Sequence, residues 1–130
     1  EMVAQQTANW EKTEAYDKME AMLQANPDIE GVICGNDTML EGVCAALQAA
    51  GKKLPVIGVD GSDEAAALIK SGDATGTALQ QFAVIAEMAV EQADQYLKEG
   101  STGVDEKQLV DCIAITSENV DKLAGFVYTE

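Results

Sequence analysis

The chain has 130 residues, the length of one ordinary domain, and 47% of them are hydrophobic, enough to build a core. Eight lysines stand against 23 acidic residues, giving a formal charge of -15, and there is no arginine or histidine. Such a chain repels polyanions and lacks the guanidinium fork that reads phosphates and base edges, so neither nucleic acid nor an anionic membrane surface is an expected partner.

Met2-Val3-Ala4 reads as a short first strand, and Asn9 as the cap of a helix running to about Asn26, with Tyr16, Met19, Met22 and Leu23 on one face. Pro27 stops that helix, because the residue before proline is steered out of the helical region. Ile29 to Gly35 is an almost wholly apolar strand, the pattern of a central strand covered on both faces. Asp37 is read as the cap of a second helix whose buried stripe is Met39, Leu40, Val43, Cys44 and Leu47, closed by Gly51. Pro55 to Asp60 is the next strand. Ser62 or Asp63 opens a third helix that ends at Gly72, and Thr75 to Gln80 forms another strand. A longer helix from about Ala83 to Lys98 places Ile85, Met88, Ala89, Gln92 and Tyr96 near one face and stops at Gly100. After the linker-like Gly100 to Gly103, Leu109 to Ile115 is a strand and Ser117 starts a last helical turn. The alternation of strand and helix predicts an α/β fold: a mainly parallel sheet with right-handed crossovers.

No stretch reaches the roughly 18 apolar residues of a membrane span, and no basic segment followed by an apolar run opens the sequence, so an export signal would lie outside it. Cys34, Cys44 and Cys112 lack the spacing of a metal site and are expected to be buried free thiols. The usual general base is missing with histidine. No glycine-rich phosphate loop, nucleophile elbow or zinc-spaced cluster appears, so neither catalysis nor a metal or cofactor is expected.

Polar groups gather instead at strand tips. Asn36 and Asp60 end successive strands, where open parallel sheets bind ligands, and Gln80 ends the next. Asp60 before Gly61 serves equally well as a turn former. Trp10, the one tryptophan, is either a packing residue or an apolar face for a ligand. Amides and carboxylates beside an indole suit a hydroxyl-rich molecule.

These pieces resemble the type I periplasmic sugar-binding proteins, the ribose-binding-like group that feeds ABC importers. The resemblance runs from about Val3 to Lys122. It is carried by Ala8-Asn9-Trp10, Asn26-Pro27-Asp28, Gly35-Asn36-Asp37, Val59-Asp60-Gly61, Thr77 to Gln80, and Ile115 to Asp121. It implies a three-layer αβα lobe, incomplete here, in a protein that binds a monosaccharide or polyol and delivers it to an ABC permease. Trp10 would stack on the ring, Asn36 and Asp60 would bind hydroxyls, and Gln80 would add a contact at the hinge. Residues 1–80 would be part of the C-terminal ligand-binding lobe. Residues 81–111 would be a crossover helix and return segment packing on an N-terminal lobe outside this chain, and 112–130 a return strand and tail. The location implied is periplasmic or extracellular, with a lipid anchor left open. The effector domain of a LacI-type regulator shares fold and ligand class. A phospho-receiver domain, with Asp60 as acceptor, is the alternative from another class.

Overall fold

A computed structural model describes residues 1–129. Its first helix, α1, spans Lys12–Ala25 and is followed by β1 (Val32–Ile33), α2 (Asp37–Ala49), β2 (Val56–Asp60), α3 (Asp63–Ser71) and β3 (Gly76–Leu79). Then come α4 (Phe82–Glu99), β4 (Ile113–Thr116), a 3-10 turn at Val120–Lys122, and a hairpin of β5 (Leu123–Ala124) and β6 (Val127–Tyr128). The main sheet has the order β1-β2-β3-β4, with β1, β2 and β3 parallel and β4 antiparallel to β3. This is the α/β, mainly parallel architecture expected from the strand and helix alternation.

Strand register explains where the core sits. Gly58 lies opposite Thr77, which lies opposite Ile115, and Asp60 lies opposite Leu79, so these side chains share a face with Val56. Val56, Thr77, Leu79 and Ile115 are buried on that side, and the apolar ones pack with Met19, Leu40 and Leu47 from the helices. Right-handed crossovers put α2 and α3 on this one face. The other face carries Ile33, 84% exposed, and Ile57, 42% exposed, and it is not covered among the described residues. A third layer is thus absent from this part of the fold, in keeping with a lobe that is incomplete.

The helix ends follow local chemistry. Ser62 Oγ accepts from Ala65 N at 3.0 Å to cap α3, and Gly72 closes it in the left-handed conformation. In α2 no basic residue occupies the last turn, and the chain turns away after Gly51 instead. Lys12 Nζ lies 2.7 Å from Glu41 and links α1 to α2 across the surface.

Four local expectations change. Residues 2–4 form no strand: Met2 and Val3 are exposed, and no described strand lies beside them to complete a ladder. Strand β1 has two residues instead of seven and lies at the sheet edge, and Ile33 is exposed despite the apolar run because it points to the uncovered face. The first helix starts after Glu11, not at Asn9, because Asn9 and Trp10 take positive φ angles of 48° and 66° in a turn just before it. Cys112 is exposed, lying just ahead of β4, whereas Cys34 and Cys44 are buried.

Burial pushes the Cys34 thiol up to about 12, with Cys44 and Asp37 adding to it, and pushes Cys44 up to about 11. The thiolate is the reactive form, so an aromatic disulfide reagent at pH 8 should titrate Cys112 alone in the native protein and all three thiols in denaturant. Rapid native labelling of Cys34 or Cys44 would contradict this packing.

Candidate functional site

The end of β1, the turn after β2 and the interior of β3 meet at one carboxylate. Helix α2 is capped by Asn36, whose Oδ1 accepts from Met39 N at 2.8 Å, and not by Asp37 as the sequence suggested. Relieved of that task, Asp37 turns inward and is 2% exposed. Its Oδ2 accepts from the backbone N–H of Gly61 at 2.9 Å and of Ser62 at 2.8 Å, and its Oδ1 accepts from Thr77 Oγ1 at 2.7 Å. One side chain from the start of α2 therefore holds the turn after β2 and a residue inside β3.

The four residues singled out in the sequence fall into two pairs around this tie. Asn36 Nδ2 donates to Trp10 O at 3.4 Å, which joins the first pair. The indole of Trp10 is 65% exposed, so it is not a core residue. Gln80 Nε2 donates to Asp60 Oδ1 at 2.8 Å, and Gln80 N donates to Asp60 O at 3.2 Å, which joins the second. No direct hydrogen bond runs from one pair to the other. They are linked through the chain, since Asn36 precedes Asp37 and Asp60 precedes Gly61. Trp10 and Asp60 each line a separate depression, while Asn36 and Gln80 line neither. One, of about 580 Å³, is lined by Trp10, Asn9, Ile33, Gly35, Met39 and residues 5–8. The other, of about 510 Å³, is lined by Asp60, Phe82, Ala83, Gly125, Phe126 and Val127.

Backbone strain is concentrated here. The non-glycine residues with positive φ are Asn9, Trp10, Asp60 and Phe126, and all of them line these two depressions. Side chains rarely tolerate that region, and such outliers persist only where the surroundings enforce them. Asn9 Nδ2 donates to Glu14 Oε2 at 2.8 Å, which steadies the turn that presents Trp10. Asp60, at φ 129°, is followed by Gly61 at φ 83°, a position where a Cβ would also press on Leu79.

Several contributors were not visible in the sequence. A Cβ on Gly58 would collide with Asp37 Oδ1, so the carboxylate occupies space that only glycine leaves. A Cβ on Gly35 would stand 2.9 Å from Trp10 Cζ3, so that glycine seats the indole. Phe82 and Phe126 meet edge to face at 5.6 Å between centroids beside Asp60. Glycine in a strand signals close approach in general. It does not say which distant group approaches.

Burial holds the Asp37 carboxyl above its ordinary 3.8, against the lowering pull of hydrogen bonds from Ser62, Thr77 and Gly61. Among the described residues no cluster of three or more His, Cys, Asp or Glu could hold a metal ion, and no helix is long and apolar enough to cross a membrane. What the arrangement offers is hydrogen bonding beside an exposed aromatic face.

A family profile described as periplasmic binding protein domain matches residues 1–102. The chain is 54% identical over 127 residues to a D-apiose import binding protein of Actinobacillus succinogenes, covering 96% of this chain and 41% of that protein. It is 52% identical over 126 residues to a D-apiose import binding protein of Paraburkholderia graminis, covering 96% and 40%. Its fold is similar to the crystal structure of an ABC transporter periplasmic solute binding protein from Actinobacillus succinogenes with bound D-allose. The TM-score is 0.86 at 29% identity, over 93% of this chain and 43% of that one. The chain thus spans about two-fifths of the length of the curated relatives it matches.

A buried carboxyl whose pKa is raised on folding lowers stability when ionised, in full at pH values above its folded pKa, and this cost fades as pH falls through that value toward 3.8. Asp37→Asn does not titrate. In urea unfolding at pH 7, 5, 4 and 3, the stability of the parent relative to Asp37→Asn should rise on acidification through the window above 3.8 and level off below it. A relative stability that falls over that window would contradict the burial argument.

Proposed function

Because the chain belongs to the periplasmic binding protein domain family, we propose that it forms one wall of a sugar-binding cleft. The ligand is a small sugar or polyol, with D-apiose the leading candidate. The whole protein captures it outside the cytoplasm, in the periplasm or at the cell surface, and hands it unchanged to an ABC permease. D-apiose leads because the two relatives described above, each more than half identical to the chain, are D-apiose import binding proteins.

The observation that carries the reading is the pairing itself. An exposed indole with a carboxamide, and a carboxylate with a second carboxamide, flank one buried tie at the strand tips. In the proposed complex Asp60 accepts from one or two sugar hydroxyls, which are charge-assisted bonds and the strongest available here. Gln80 already donates to Asp60 Oδ1, so one carboxylate oxygen is fixed and the other is left to the ligand. Asn36 uses its oxygen on the helix cap and one Nδ2 hydrogen on Trp10 O, which leaves the second Nδ2 hydrogen to donate to a hydroxyl. Trp10 covers the C–H face of the ring.

Binding without chemistry is the reading these groups support, since they offer hydrogen bonds beside an exposed aromatic face. Affinity then comes from closing a second wall over the ligand, which removes water from these hydrogen bonds and lets both walls contact one molecule. The two separate depressions are the halves that a bound sugar and the opposite wall would join.

Calorimetry on the protein at its natural length, against D-apiose, D-allose, D-ribose, xylitol and myo-inositol, tests the reading. D-apiose should bind most tightly. Loss of a charge-assisted hydrogen bond costs about 1.5–3 kcal/mol, so Asp60→Ala should weaken binding roughly 10- to 100-fold. Trp10→Ala should weaken it roughly tenfold. Parent-like affinity in both variants would remove the site assignment, and no binding across the panel would remove the ligand class.

The seating of Trp10 can be checked separately. Gly35→Ala places a methyl against the indole ring, so it should shift the Trp10 emission maximum and weaken D-apiose binding while leaving the far-ultraviolet circular dichroism unchanged. An unaltered emission spectrum would mean that Gly35 does not seat the ring.

A further inference from the structure

We propose that Asp37 is the positioning residue of this site, aiming the Asp60 carboxylate at the ligand by clamping the two amides that follow it; this rests on the reading that Asp60 meets the sugar. Asp60 has a φ of 129°, a conformation unfavourable for a residue with a side chain that persists only where the surroundings enforce it. The enforcement is visible in the next two residues. Gly61 N and Ser62 N both donate to Asp37 Oδ2, and Gly61 N also lies 3.3 Å from Thr77 Oγ1. Thr77 in turn donates to Asp37 Oδ1, so the carboxylate is gripped on both oxygens and cannot swing away.

The remaining restraints on Asp60 come from the other side. Gln80 N donates to its carbonyl and Gln80 Nε2 to its Oδ1. Asp60 is thus held from β3 ahead of it and by Asp37 behind it. Without Asp37, Ser62 N loses its acceptor, Gly61 N keeps only the longer contact to Thr77 Oγ1, and the strained φ loses its support. The turn can then relax to a conformation in which the Asp60 carboxylate points elsewhere. Gly58 belongs to the same device, because a side chain there would expel the Asp37 carboxylate from its seat.

A residue that acts through Asp60 differs measurably from one that merely stabilises the fold. The test is a double-mutant cycle on the protein at its natural length, titrated with D-apiose in the calorimeter. Asp37→Ala should weaken binding about tenfold in the parent but by less than about twofold in the Asp60→Ala background, the coupling expected of groups in one network. Asp37→Asn, which keeps an oxygen facing Gly61 N and Ser62 N, should recover most of the loss. Thr77→Val, which leaves the carboxylate in place but releases one of its oxygens, should give a smaller loss with the same dependence on Asp60, and it carries the test if Asp37→Ala does not fold. An equal loss on both backgrounds would overturn the proposal.

Amide hydrogen exchange gives a readout that needs no sugar. In Asp37→Ala, protection should fall at Gly61 and Ser62 and hold at the β3 amides, while unchanged protection at Gly61 and Ser62 would overturn the clamp. If Asp60→Ala binds D-apiose as the parent does, the ligand reading and the aiming role fall together, and the exchange pattern still decides whether Asp37 fixes the turn.

Discussion

A charged group inside a protein is costly unless each oxygen finds a donor. Asp37 meets that condition with three, drawn from the turn after β2 and from the middle of β3. The parallel register of β2 and β3 brings these donors into reach, because Thr77 lies opposite Gly58, three residues before the turn at Gly61 and Ser62. Gly58 leaves the space, and Thr77, opposite it in β3, reaches the carboxylate with its hydroxyl. The dependence runs in both directions. The tie needs the register, and the conformation of the turn that carries Asp60 needs the tie.

Rigid structure and strained structure are separated in this fold. The core face of the sheet packs Val56, Leu79 and Ile115 against the helices without exposure. At the tips, Trp10 and Asp60 sit in backbone conformations that their side chains disfavour. Strain of that kind is retained where neighbours over-determine the geometry. Here the neighbours are Glu14, Asn36, Gln80 and Asp37, each through a hydrogen bond to the strained turn or to the residue beside it. For a binding wall this is useful, since groups fixed before the ligand arrives lose less freedom when it binds.

The elements most legible in the sequence were those with strong local signals. Helices α2 and α3, strand β2 and the stops at Gly51, Gly72 and Gly100 follow from apolar periodicity and turn residues, and the structure has them where the pattern puts them. The partners of residues were less legible. Ile29 to Gly35 reads as a central strand by composition, yet position in a sheet depends on neighbours that composition does not contain. The β5–β6 hairpin escaped notice because its turn, Gly125-Phe126, pairs one glycine with an aromatic residue at φ 63° instead of the usual Asn-Gly or Asp-Gly. Asp37 was read as a cap because an acid at a helix start ordinarily is one. Its true partners lie 24 to 40 residues away in sequence. The positions of Asn36, Asp60 and Gln80 at strand tips are legible in the sequence, but the turn that carries Trp10 ahead of α1 and the grouping into two pairs are not, since they depend on the positive φ angles of Asn9, Trp10 and Asp60.

We propose that these four side chains form one wall around a sugar, and a crystal structure of the natural-length protein grown with D-apiose tests this most directly. The ring should lie over the Trp10 indole, with a sugar hydroxyl within about 3.2 Å of an Asp60 carboxylate oxygen and Asn36 and Gln80 donating to the same ligand. A sugar bound elsewhere on the protein, with Asp60 and Trp10 facing bulk solvent, would contradict it.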